Sequence, residues 1–417
     1  MKRVFVTVLT ITFVTLTACD KDNGALDDSV IGKSNVAMVT AKSGDVMIHL
    51  AGSGTISIDW GDKTGSESYS LLEYNEDEWD PYSKESKYVC IHNYSNKDSR
   101  IISIMGENIT HLFCGYNFLS RLEVGRNTAL TYLYCSNNLL LTSLDVSNNS
   151  ALTDLSCENN SLKNLDVSHN SALSVLSCGT NSIKNLDASH NVNLINLNCS
   201  NNLLTSIEVG KNILLKNLDC GGNQLMRLDV SNNTELTYLN CSYNQLTNLD
   251  IRNNILLSEL NCTLNPLTSL DLSNNTALIQ LTCTGSLMSS LDLSNNIVLS
   301  RLSCSITPLT SLDLSRNTEL TYLYSEDCKL TSLDLSNNPG LMYLYCSYNH
   351  LTSLDMSHNP MLNVLLCTDN ELSGEALNAL FETLPEKRGN ISISRNPGVN
   401  SCDPNIAINK GWSVDRN

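Results

Sequence analysis

Leu236-Thr-Tyr-Leu-Asn-Cys-Ser-Tyr-Asn-Gln-Leu-Thr-Asn-Leu-Asp-Ile-Arg-Asn-Asn, ending at Asn254, is one copy of a unit that fills most of the chain. From Ile109 onward the pattern L-x-x-L-x-C-x-x-N-x-L-x-x-L-D-L-S-x-N-x-x recurs about a dozen times with a period of 21 residues. The cysteines mark it: Cys114, Cys135, Cys157, Cys178, Cys199, Cys220, Cys241, Cys262, Cys283, Cys304, Cys346 and Cys367. One step is 22 residues, where Leu139-Leu140-Leu141 carries an extra residue, and one is 42, where Ser325 replaces the cysteine. A fixed period of this length predicts a solenoid. Each repeat forms one coil, too small to bury its own apolar edges until neighbours cover them.

Within a coil the alternation L-x-x-L-x-C turns Leu239 and Cys241 inward and Tyr238 and Asn240 outward. Equivalent segments then lie side by side as one parallel sheet, with strands roughly 4.8 Å apart. The second half repeats the alternation through Leu249 and Ile251, which predicts extended structure on the opposite wall. These motifs resemble the leucine-rich-repeat family in its short, bacterial, internalin-like form, over roughly residues 109–370. The resemblance implies a strand face that contacts a protein or glycan, and a chain that is not an enzyme.

The cysteine column reads as packing. Parallel in-register side chains keep the strand spacing, wider than the ~3.8 Å between Cβ atoms that a disulfide needs. Zinc wants a tetrahedral cluster rather than a row, so no metal is expected. The first asparagine column, Asn117 to Asn370, follows the strand, where a buried amide would bond the bend of its own and the next coil. Ser286, Thr307 and Cys328 interrupt it. The second column, Asn127 to Asn359, is unbroken and fits a turn needing a local side-chain bond or a left-handed backbone. An acid also recurs in every coil, from Glu123 to Asp355. One monodentate carboxylate per coil is too few for calcium, so a solvated acidic edge is expected.

The chain has 43 acidic residues against 26 Lys and Arg, a formal net charge of −17. That balance argues against nucleic acid and against electrostatic docking on anionic lipid. Residues 1–18 read as a secretory leader: Lys2-Arg3, an apolar run from Val4 to Leu16, then Leu16-Thr17-Ala18-Cys19. The ending resembles a bacterial lipobox, which would make Cys19 the lipidated residue and its lipid the only membrane contact. Asp20-Lys21-Asp22-Asn23 resembles the acidic tether of surface lipoproteins in Bacteroidetes-type bacteria, and 19–34 is read as that tether. The expected location is the outer membrane, facing the cell surface or alternatively the periplasm.

Residues 35–106 switch to short alternating strands, and Trp60-Gly61-Asp62 with His92-Asn93-Tyr94 resembles the marks of PKD-like immunoglobulin-fold sandwiches. That resemblance implies that Trp60 and Tyr94 are core residues and that Gly61-Asp62 turns the chain. The acidic, aromatic insert from Glu73 to Tyr82 reads as a solvated loop. Residues 107–370 are the solenoid. From 371 to 417 a helical stretch beginning at Gly374, then Ile391-Ser392-Ile393 and Trp412-Ser413-Val414, reads as an α/β cap. The fold class is therefore mainly β: a small sandwich, a solenoid with a parallel sheet, and a small cap.

No catalytic constellation stands out, and no cofactor is expected. Two classes of function remain: a lipid-anchored receptor or adhesin, and a structural envelope spacer without a specific ligand. Outward positions single out Tyr322, Tyr324, Tyr343 and Tyr345, with Tyr348 beside them, as a candidate ligand site. The alternatives are that the cap covers these rings or that they stack on one another. A second aromatic group, Phe113, Tyr116, Tyr132 and Tyr134, lies at the first coils, where packing against the N-terminal domain competes with ligand binding.

Overall fold

The structure is a computed structural model describing residues 28–416, so the leader and Cys19 lie outside the described residues. Three-residue strands recur at each coil, from Tyr132–Tyr134 to Val364–Leu366. They pair in parallel and in register, Leu218 beside Leu239 beside Leu260. The inward leucines and cysteines are fully buried, and one continuous apolar core runs from Val36 to Trp412. The extra residue of the long coil bulges outward: Leu139 is exposed while Leu141 holds the core position. The opposite wall is plainer than expected. It buries Leu249 and Ile251 but forms only two isolated bridges, Asp187 with Glu208 and Asp229 with Asp250.

The two ends close differently. At the N-terminus two antiparallel sheets each continue one wall of the first coil. Gly44–Gly52 pairs with Ile109–Phe113 on the strand side, and Val36–Thr40 pairs with Leu119–Glu123 on the other. Trp60 and Tyr94 are buried, and the Tyr94 hydroxyl donates to the Trp60 carbonyl at 2.6 Å. Gly61 sits at φ +74°, where the chain turns. At the C-terminus Gly389–Ser392 and Trp412–Asp415 extend the same parallel sheet by two more coils. The helix Gly374–Thr383 buries Leu377, Leu380 and Phe381 beneath them.

What fastens coil to coil is the first asparagine column. In Asn244 the Nδ2 donates to the Cys220 carbonyl of the preceding coil and to the Cys241 carbonyl of its own, both at 3.0 Å. Its Oδ1 accepts the Leu225 N–H of the preceding coil at 2.9 Å. The amide thus ties its own coil to the preceding one rather than to the next. The second column does a similar task instead of a local one: Asn233 Nδ2 donates to the Val209 and Asn212 carbonyls, 24 and 21 residues earlier. Left-handed backbone falls elsewhere, on the residue just before the first asparagine, as at Thr180, Asn201 and Tyr243.

Where the first column lapses, so do its bonds. Ser286 Oγ is buried without a partner, and Thr307 Oγ1 reaches only the Cys304 carbonyl and the Cys328 thiol. The N–H groups of Leu267, Met288 and Leu309 lose the acceptor that Leu246 finds in Asn265. Solenoid stability is a sum of local and neighbour terms, so the defect should show locally. Amide hydrogen exchange is expected to be faster at residues 280–330 than at 195–245; equal protection would show that the substitutes serve as well.

The ladder cysteines are free and buried. Burial pushes the ladder thiols upward, to about 12 at Cys262 and Cys367, and at Cys304 the hydrogen bond with the Cys328 thiol does so ahead of burial. A proton held more tightly in the folded chain than at the ordinary 9.0 gives stability that is complete below that pH. Above it, stability should fall for as long as the folded thiols stay protonated while those of the unfolded chain ionise. Urea titrations between pH 8 and pH 11 should therefore steepen toward alkali, while thiol reagent reacts slowly until the chain unfolds. Cys241→Ser, which buries a hydroxyl among apolar neighbours, should cost roughly 1–3 kcal/mol.

Candidate binding surface

The outward side chains of the strand face divide into three zones. Over the first coils the insert from Glu73 to Tyr82 packs its rings against the aromatic group and partly covers it, leaving Tyr116 48% exposed. Tyr74 stacks on His111 at 4.0 Å, and Trp79 sits 5.0 Å from Tyr88 and 6.4 Å from Tyr132. Tyr82 meets Phe113 edge-on at 5.5 Å and Tyr116 at 6.3 Å, while Phe113 stacks on Tyr134 at 4.4 Å. The Tyr88 hydroxyl donates to the Glu73 carbonyl at 3.0 Å, Lys87 pairs with Glu78 and Lys84 pairs with Asp45. The insert is largely exposed, as expected of a solvated loop, but its rings also contact those of the first coils and form a latch that sequence alternation does not reveal.

The middle zone is amide-rich and acidic. Asn198 Nδ2 donates to Glu158 at 2.7 Å, and Asp219 accepts from the Gly221 N–H and from Asn240 Nδ2, both at 3.0 Å. Partial burial raises both carboxyls above their ordinary range.

In the third zone Tyr322 stacks on Tyr343 at 4.7 Å and Tyr324 on Tyr345 at 4.6 Å, with ring planes 4° and 14° apart. All four are half-buried, and Tyr348 is exposed on the adjoining bend. Stacking follows from pairing, since in-register neighbours on a parallel ladder bring rings to about the strand spacing. The faces between the rings are therefore used up, leaving hydroxyls and edges outward. The Arg301 guanidinium lies over Tyr322 at 4.6 Å. Beside it a hollow of about 200 Å³ is lined by Gln280, Thr282, Arg301, Ser303, Tyr322 and Tyr324. Sequence alternation alone placed the tyrosines; Arg301 and the hollow were missed because Thr282 and Ser303 matter only by being smaller than Tyr324.

The acidic column lies on the other wall. Its aspartates accept the N–H two residues on, as Asp229 does from Ser231 at 2.9 Å, and these bonds hold the carboxyl below its ordinary value. The row is exposed and turn-bonded. No group of three or more His, Cys, Asp or Glu able to hold a metal occurs among the described residues.

Such coils define a leucine-rich-repeat solenoid. No family profile and no curated relative matches the chain. Among solved structures, the functional domain of InlJ from Listeria monocytogenes is 30% identical over 72% of this chain and 77% of that one, with a TM-score of 0.51, and it too includes a cysteine ladder. An internalin from Listeria monocytogenes shares the fold at 18% identity and TM-score 0.58, covering 74% and 86% of the two chains. The ectodomain of a plant membrane receptor kinase from Arabidopsis thaliana, solved with Casparian strip integrity factor 2, does so at 21% identity and TM-score 0.55, over 66% and 39%. The chain belongs to the internalin-like leucine-rich-repeat proteins.

Burial lowers the affinity of His49 and His111, beneath the latch, for a proton. Groups depressed on folding stabilise above their ordinary value of 6.5 and lose that contribution as pH falls below it. Limited proteolysis between residues 73 and 82 should therefore accelerate from pH 7.5 to pH 5, and Trp79→Ala should make cleavage fast at both.

Proposed function

We propose that the protein is a non-enzymatic, lipid-anchored binding protein of the cell surface, contacting a protein partner through the C-terminal end of its strand face. One observation carries this. Of two aromatic groups on that face, the first is engaged by the rings of the chain's own insert, with Tyr116 left exposed, while among the described residues no insert packs on the second. Four tyrosine edges and hydroxyls beside an exposed guanidinium make contacts like those of protein hot spots. Stacking takes up the inner faces of both pairs and Arg301 lies over Tyr322, which leaves mainly edges and hydroxyls and favours protein over glycan. A fold of this kind solved with a bound protein factor supports the same choice. Anchoring through Cys19, a surface rather than periplasmic orientation, and a PKD-like domain at 35–106 belong to this reading.

The test uses the protein as bait with surface-protein extracts and quantitative mass spectrometry. Tyr322→Ala with Tyr345→Ala should lose a partner at least tenfold, with the thermal midpoint little changed, while Asn196→Ala with Asn198→Ala retains it. Equal loss in both variants would remove the case for this patch. Separately, cells fed a labelled fatty acid should label the wild type and not Cys19→Ala; equal labelling would sink the anchor.

A further inference from the structure

The bend between the second asparagine column and the next strand carries an unusual apolar stripe. Ile213 and Leu214 are 56% and 45% exposed, Ile255 and Leu256 54% and 44%, and Ile297 and Val298 51% and 40%. These aliphatic pairs recur every 42 residues, two coils apart, whereas the coils between them place Thr234-Glu235 and Thr276-Ala277 at the same bend. Ile279, Ile195 and Val192 extend the stripe. At two strand spacings the pairs stand about 10 Å apart. Together the exposed parts of these side chains amount to roughly several hundred Å² of aliphatic surface along the stripe, interrupted by the Thr234-Glu235 and Thr276-Ala277 bends, against the ~800 Å² each partner of a stable interface buries.

The spacing is the same on either side of Ile255-Leu256, and that is the condition for a surface to match itself under a two-fold rotation. We infer that this stripe is the interface of a homodimer whose two-fold axis passes through Ile255-Leu256. Ile213-Leu214 of one copy meets Ile297-Val298 of the second, and Ile255-Leu256 meets itself.

Charge supports this register. A chain of net charge −17 can pair with itself only where acid does not face acid. Rotation about the stated axis sets Lys211 opposite Ser300, Lys216 opposite Asn295 and Glu235 opposite Thr276, so no like charges meet. A slip of one coil would put an aliphatic pair against Thr234-Glu235 and lose both the burial and the symmetry. The strand faces stay free in the dimer, so two tyrosine sites would act on one partner array with the gain that linkage gives.

Sedimentation velocity of the purified protein from low to high micromolar concentration should show a dimer. Ile255→Arg with Leu256→Asn should be a monomer with an unchanged melting curve. Ile306→Asn, which removes an equally exposed aliphatic residue from the other bend, should remain dimeric. Under oxidation Ile255→Cys should cross-link to its own copy; Ile213→Cys should not, but should link to Val298→Cys when the two are mixed. A monomer at every concentration, or a dimer indifferent to Ile255→Arg with Leu256→Asn, would overturn the inference. So would a monomer that floats with phosphatidylglycerol vesicles through these residues, which would give the stripe to lipid.

Discussion

All but three successive coils are tied by one buried carboxamide. A three-residue strand gives few ladder bonds, and the tight bend after it turns carbonyl and N–H groups toward the interior, where an unpaired one costs about 1–3 kcal/mol. The first-column asparagine answers both polarities at once, with Nδ2 to two cysteine carbonyls and Oδ1 to an N–H of the preceding coil. That geometry needs the residue before it in left-handed backbone, and the chain adopts it even at Thr180, at φ +53°, before Asn181. A β-branched residue there is strained. The bend geometry therefore overrides local preference, because the tie to the neighbouring coil exists only in that conformation.

The same constraint explains the cysteines. The inward position beside the bend is crowded by the carbonyls it shares with asparagine, so a small, soft, apolar side chain fits it. Thiols of successive coils line up at strand spacing, buried and un-ionised, and pack as hydrophobes. The likeness to a solved cysteine ladder rests on this packing rather than on any chemistry of sulfur.

Much of this was legible in the sequence, since the period, the inward leucines and the asparagine column repeat often enough to expose their roles. Three features were not. The latch of Tyr74, Trp79 and Tyr82 closes on rings some 30 to 60 residues away, beyond the reach of local alternation. The second asparagine column looked like a turn residue because spacing reveals position and not the direction of a side chain. Trp412–Asp415 lacks the repeat's signature, and the Gly389–Ser392 coil keeps it only as Ile391, Ile393 and Asn396, set off the 21-residue period by the intervening helix, so their joining the ladder had no periodic sign. The candidate tyrosines were placed by alternation, but that their faces pair off follows only from the register of the strands.

Refilling the lapsed column tests most directly whether the asparagine ladder holds the solenoid together. Ser286→Asn, Thr307→Asn and Cys328→Asn, made together, restore an amide to three successive bends. If the account is right, equilibrium urea unfolding should shift upward by about 1 kcal/mol for each restored tie. A midpoint that stays put or falls, with the native circular dichroism retained, would contradict it.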